Sequence, residues 1–270
     1  MGIRRTHIDY ETRSFVDISN GVRRYAEKAE VILAAWASPG EPIQQWDRLK
    51  DTGDLSDLMD RLQDTEMEMH AFNASFEREI TGRCIGHFVP YYRWHCTMAY
   101  AYSRGFSGKL KDVCKQLEVP EDKAKLAEGG RLINRFCIPR KPTKNNPRMW
   151  FSPEDNEEQW DRFCLYNRLD VEAERYIFEY LDCQHPETPE ERETWLWDQA
   201  VNGRGLPVDM ALVDGAIQMA EALKAEAMEQ MRQITGLNNP NSRDQLLGWL
   251  RGQGYPYGDL QKETIARVLG

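Results

Sequence analysis

The 270-residue chain has no apolar run of transmembrane length, and no signal-peptide core follows Met1. Neither a membrane partner nor export is expected, and the cytoplasm is the expected setting. Cysteine is sparse, with six residues at 84, 96, 114, 137, 164 and 183 and no CxxC pair among them. A disulfide framework is therefore not expected; reduced, mostly buried thiols are. His87 and His95-Cys96 lack zinc-motif spacing and are read as packing residues. No repeat and no low-complexity tract interrupts the sequence. A basic excess is also missing, since the formal net charge is -9. That total does not exclude nucleic acid, because the distribution of charge decides.

What is present describes a folded chain. Hydrophobic residues make up 41%, and eight Trp and eleven Tyr argue against disorder. Arg104 to Arg148 holds twelve Lys or Arg against five Asp or Glu, a net of about +7, and leaves the rest near -16. This stretch also carries Phe106, Phe136 and, just beyond it, Trp150. Its end, CIPRKPTKNNPRMW, has no helix or strand period, and Arg140, Lys141 and Lys144 on it are candidates for guiding a nucleic-acid strand.

Periodicity predicts strands over THIDYET, AEVILAAWA (29–37), PIQQWD (42–47, a hairpin partner of the previous run) and MEMHAFN (67–73). Helices are predicted over 54–64, 75–86, 107–119 with Ser107 as cap, 152–181 with a Ser cap and Pro at the first position, and 211–234. CQHPETPEER (183–192) reads as a linker. The pattern is α/β, with a mixed sheet flanked by helices and then a helical segment.

Three places offer acidic residues in suggestive settings. Asp9 and Glu11 alternate with Ile8 and Tyr10, so on a strand the two carboxylates share one face. Glu77 opens a helix just past a strand, four residues after Asn73. Tyr166 and Asp170 share a helix face. Clustered carboxylates repel unless a cation lies between them. Mg²⁺ takes such oxygen ligands, and a pair of divalent ions can activate water against a phosphodiester. Each piece alone is common: DxE occurs on many strands, and Glu77 also suits a helix N-terminus. Their order and contexts together carry the weight.

In that order the chain resembles the 3′–5′ proofreading exonuclease domain of family A DNA polymerases, especially those of bacteriophages. These are DEDDy exonucleases on a ribonuclease H-like fold. Asp9-Tyr10-Glu11 is similar to the first motif, Asn73-Ala-Ser-Phe76-Glu77 to the second, and Tyr166-Asn-Arg-Leu-Asp170 to the third. KLKDVCKQLEV, RKPTK, WLWDQAVNGRGLPVD and NPNSRDQLLGWL extend the likeness over nearly the whole chain. The family ends its second motif in Asp, where this chain has Glu77.

The resemblance implies a metal-dependent exonuclease over residues 1–185 and the helical base of a polymerase thumb over 190–270. It implies two divalent ions, Mg²⁺ or Mn²⁺, with Asp9, Glu11 and Asp170 as ligands, Glu77 acting through water, and Tyr166 orienting the attacking water. Thr12, Asn73 and Phe76 would neighbour the terminal nucleotide of a single-stranded DNA 3′ end. Polymerase motifs are not seen, so the chain is expected to be a fragment or one part of a split enzyme, with a polymerase subunit or domain as partner. The rival expectations are an RNA-trimming exonuclease with the same motifs and a catalytically weak docking module.

Overall fold

The computed structural model describes residues 4–124, 128–144 and 147–269. Two compact units divide the chain, Met1–Arg204 and Gly205–Gly270. The first contains strands β1 (Arg4–Ser14), β2 (Ala29–Ala37), β3 (Gln44–Asp47), β4 (Met67–Ala71) and β5 (Trp94–Cys96). Its helices are α1 (Val22–Ala26), α2 (Ser56–Gln63), α3 (Ala74–Ile80), α4 (Thr97–Ser103), α5 (Leu110–Gln116), α6 (Gly129–Phe136), α7 (Glu157–Gln184) and α8 (Pro189–Arg204). The second unit holds α9 (Met210–Thr235), α10 (Arg243–Gly252) and α11 (Lys262–Leu269).

The strands form one sheet in the order β3-β2-β1-β4-β5. β1 to β3 form an antiparallel meander, and β4 and β5 run parallel to β1. This is the mixed ribonuclease H-like sheet, with β1 at its centre. The alternation along β1 holds: Ile8 and Tyr10 enter a core with Trp36, Met69 and Trp94. His7, Asp9 and Glu11 share the opposite parity, and His7 and Asp9 both reach side chains of α7. Burying each of those large apolar side chains contributes roughly 1.5–3 kcal/mol. The pairing of β1 with β2 slips between Glu11 and Thr12, leaving Ile32 as the extra residue beside the acidic pair.

α7 is 28 residues long and lies against the sheet. Trp160, Phe163, Cys164, Val171, Ile177, Phe178 and Leu181 form its buried stripe at helical spacing. Asn167, Asp170 and Glu174 sit in the same stripe, polar residues at core positions. Such positions are costly unless the groups are satisfied, which marks them for function.

Several sequence expectations change. β5, α4 and α6 were not foreseen. α3 stops at Ile80 and loosens into a wider turn over Thr81–Ile85. Ser107 does not cap α5, which begins at Leu110; its hydroxyl instead accepts from Lys109 N at 3.2 Å. Ser152 caps a 3₁₀ turn over Pro153–Asp155, and α7 restarts after Asn156, whose side chain accepts from Gln159 N at 2.9 Å. The stretch 183–192 is a connection only in its middle, because α7 runs to Gln184 and α8 starts at Pro189. α8 packs within the first unit through Trp195, against the core, and buried Gln199, which accepts from Ser75 at 3.0 Å.

In the second unit, Asp209 caps α9 by accepting from Leu212 N at 3.0 Å. Gly236 ends the helix at φ 69°, a left-handed turn that favours glycine. α9 buries none of its residues and exposes Leu212, Ile217, Met219 and Leu223. No helix of the described residues is long and apolar enough to cross a membrane.

Candidate active site

Strand β1 and helix α7 bring the first and third motifs together. Asp9, Glu11 and Asp170 each offer one carboxylate oxygen within 4.8 Å of the others. Glu11 and Asp170 are buried and Asp9 is half-buried. At that spacing each pair of like charges repels by about 3.5 kcal/mol or more in a medium of effective dielectric about 20. The cluster lies in a cleft of about 600 Å³ whose walls also include Thr12, Phe76, Glu77 and Tyr166.

Glu77 reaches the cleft from the first turn of α3. The Asn73 carbonyl that starts this helix accepts from Phe76 N at 2.8 Å and Glu77 N at 3.5 Å. Glu77 is buried, and its Oε2 has no hydrogen-bond partner. Burial first, then the charges of Asp9, Glu174 and Asp170, pushes its carboxyl well above the usual range. Among the described residues, Glu77 is not in the 4.8 Å set, so it stands beside the three clustered acids and not among them.

Tyr166 is wedged between α6 and Phe163, its ring stacked 6.1 Å from that ring. Gly129 opens α6 because a Cβ there would stand 2.1 Å from Tyr166 Cε2. Burial, then the charges of Asp170, Glu11 and Asp9, drives the phenol far up in pKa. The phenol is thereby held in its protonated form, which can donate a hydrogen bond.

Thr12 lines the cleft and its hydroxyl lies 2.8 Å from that of Tyr25. Asn73 is exposed and is not part of the cleft wall. The basic loop leaves the rim where Cys137, Ile138 and Pro139 line the cleft. Arg140 follows at once, its guanidinium 5.1 Å from the Phe151 ring centroid, and Lys141 and Lys144 are exposed. Lys125, Asn145 and Asn146 of the basic stretch lie outside the described residues.

Sequence reasoning missed the groups that hold the acids. Asn167 Nδ2 donates to Asp9 Oδ2 at 2.8 Å, and Asn167 Oδ1 accepts from Gln45 Nε2 at 2.9 Å. The Cys137 thiol lies 3.9 Å from Glu11 Oε2. Phe15, 62% exposed and edge-on to Trp150 at 4.3 Å, adds an apolar rim. Asn167 was visible only as a polar residue on the core stripe of α7.

The donor set suits a hard divalent cation: three clustered carboxylate oxygens, with a buried carboxylate oxygen lacking a partner close by. Asp9, Glu11 and Asp170 are the residues that could hold one.

No family model matches the chain. It is 34% identical over 272 residues to the DNA polymerase of Bacillus phage SP02, covering 97% of this chain and 41% of that polymerase. The chain thus spans about two fifths of the relative it matches. Among solved structures it is similar to Escherichia coli RNase D, an exoribonuclease involved in structured RNA processing, with 17% identity, TM-score 0.43, and coverage of 93% of this chain and 55% of that one. Brucella melitensis NrnC with bound Mg²⁺ gives 10% identity and TM-score 0.43 over 72% of this chain and 80% of that one. The acidic cleft, the motif order and the phage polymerase relationship together support a nuclease.

Proposed function

We propose that the chain is the 3′–5′ proofreading exonuclease part of a family A DNA polymerase. It would remove nucleoside monophosphates from a single-stranded DNA 3′ end. The observation that carries this reading is the convergence of Asp9, Glu11 and Asp170 within 4.8 Å in a cleft shared with Glu77 and Tyr166. In the reaction a water oxygen bonds to phosphorus and the bond from phosphorus to the 3′-oxygen breaks. Two divalent ions, Mg²⁺ or Mn²⁺, when bound, would lower the pKa of the attacking water and neutralise the leaving oxygen.

The chain's own residues supply the rest. Asp9, Glu11 and Asp170 hold the positive charge at the cleft floor, and Asn167 fixes the orientation of Asp9. Tyr166, kept as a phenol, orients the water. Glu77 acts through a water molecule, its longer side chain standing where the family has Asp. Thr12 and Phe76 wall the place of the terminal nucleotide, where stacking and backbone contacts need no sequence readout. Arg140, Lys141 and Lys144 lead the strand to the rim by phosphate attraction. Residues 190–270 form the helical base of a thumb, and the exposed apolar residues of α9 support its packing on polymerase chain.

The test uses 5′-labelled DNA and RNA oligonucleotides of one sequence with Mg²⁺, Mn²⁺ or chelator. Products shortened stepwise from the 3′ end of DNA, only with metal, are expected. Cleavage confined to RNA would replace this reading by the RNA-trimming one, and no cleavage of either would leave a docking module.

A further inference from the structure

Away from the carboxylate cleft, the same α7-facing side of the sheet carries, towards β5, a ladder of three histidines. His7 pairs in register with His70, and His70 with His95, on adjacent parallel strands β1, β4 and β5. The rings of His70 and His95 are stacked at 4.5 Å with 5° between their planes. Glu68, two residues before His70 and so on the same face, bridges them. Its Oε2 lies 3.3 Å from His70 Nε2 and its Oε1 lies 3.6 Å from His95 Nε2. One ligand atom of each of these three residues lies within 4.8 Å of the others.

From this arrangement we propose a second cation site, formed by Glu68, His70 and His95, that takes one transition-metal ion of the Zn²⁺ class.

Two neutral imidazoles and a carboxylate are the donor set such ions prefer, whereas Mg²⁺ selects oxygen. Zn–N and Zn–O distances of about 2.0–2.1 Å in a tetrahedron put ligand atoms roughly 3.3 Å apart. The gaps of 3.3 and 3.6 Å from Glu68 to the two rings are close to that span, and the half-buried His95 ring must turn out of its stack on His70 to aim its nitrogen at the same ion, because ring lone pairs lie in the ring planes. His70 is wholly buried, with Phe178 edge-on at 4.4 Å, and its Nδ1 has no partner. Burial in that setting favours the neutral ring, which leaves a nitrogen lone pair to give. His95 Nδ1 lies 3.9 Å from Glu187 Oε2, so a carboxylate stands behind the ligand at ion-pair distance. Glu68 and His95 are only partly buried, which gives an ion a path from solvent. His87, whose Nε2 lies 3.1 Å from the Leu62 carbonyl, takes no part.

The ion would clip the three-residue edge strand β5 to β4. This proposal is independent of the nuclease reading, because its readout is binding.

Co²⁺ and Zn²⁺ are titrated into the full chain, into Asp9→Asn and into His95→Gln, following Co²⁺ absorption and melting temperature. Wild type and Asp9→Asn should both show the intense visible absorption of low-coordinate, nitrogen-ligated Co²⁺, displaced by Zn²⁺, and a Zn²⁺-dependent rise in melting temperature. His95→Gln should lose both, with affinity at least 100-fold weaker. If His95→Gln does not fold, Glu68→Gln, at a partly exposed position, serves in its place and should show the same loss. Equal binding by wild type and the ladder variant, or loss of the signal in Asp9→Asn, overturns the site.

Discussion

Gly129 and Tyr166 are in contact that leaves no room for one more carbon: a Cβ at 129 would stand 2.1 Å from Cε2 and 2.7 Å from Cζ of the ring. The glycine that opens α6 thus sets where the phenol stands. Gly129→Ala should fold but push the ring towards the acids, at a cost of about 1–3 kcal/mol for overpacking. Cleavage should fall at least as far as in Tyr166→Phe, which keeps the ring and loses only the hydroxyl. Tyr166→Phe itself should lose roughly 10- to 100-fold, less than a full acid-base group. Melting curves and single-turnover cleavage for both variants check this. Wild-type cleavage by Gly129→Ala would remove the steric link.

Asp9→Ala or Asp170→Ala should abolish cleavage, by on the order of 10³-fold or more, because electrostatic stabilisation at the reacting group is usually the largest catalytic effect. Each removes one of three mutually repelling carboxylates, so the metal-free protein should melt no lower than wild type. Near-normal cleavage by either variant would discard the site.

Asn167→Ala should leave all three acids in place yet misdirect Asp9, whose Oδ2 it holds at 2.8 Å. Losses of outer partners of metal ligands typically cost 10- to 100-fold. Raising the Mg²⁺ concentration should recover part of the activity in this variant and none in Asp9→Ala. An unchanged metal requirement would reduce Asn167 to a packing role.

The difference between Asp9 and Asn167 shows what a sequence displays. Asp9 and Glu11 were legible because strand alternation places them on one face whatever else the chain does. Tyr166 and Asp170 were legible because helical spacing is equally local. β2 was legible as a continuous apolar run buried on both faces. β5, by contrast, is three residues long, Trp94-His95-Cys96, and exists only because β4 offers it an edge. α6 begins with two glycines, poor helix formers, and the first of them, Gly129, is kept there by the demand of Tyr166 for space. Asn167 and the Glu68 bridge depend on which elements meet, and no local period encodes that.

The triple variant Arg140→Ala, Lys141→Ala, Lys144→Ala should weaken DNA binding and flatten its salt dependence, since each lost phosphate contact releases fewer counterions. Turnover at saturating DNA should hold, because these side chains follow the rim and are not among the cleft-lining residues. Arg140 also lies over Phe151, so a small loss of stability is expected from that change alone. Binding isotherms at several salt concentrations decide the matter, and an unchanged slope would make the loop an ordinary solvated surface.

Glu77 should couple stability, pH and metal binding in one side chain. Its native carboxyl is pushed well above 4.5 by burial and then by Asp9, so the folded state holds this proton more tightly than the unfolded chain does. The stabilisation from that proton is therefore full below pH 4.5 and is lost as pH rises through the native value. Metal-free wild type should melt at a lower temperature at about pH 8 than at about pH 5.5, and Glu77→Gln, neutral throughout, should flatten that difference. Divalent ions should offset the loss in wild type, because binding a cation favours the ionised carboxylate and expels the proton. Glu77→Gln should retain the fold and lose most cleavage, since it removes the charge that a hard ion or its bound water needs. Glu77→Asp keeps the charge with a shorter reach and should retain substantial activity through a bridging water. A carboxylate that merely favours a helix N-terminus would contribute about 0.3–1 kcal/mol and nothing to cleavage. Full activity in Glu77→Gln, with melting slightly lowered at every pH, would assign Glu77 that lesser role and leave the metal chemistry to Asp9, Glu11 and Asp170.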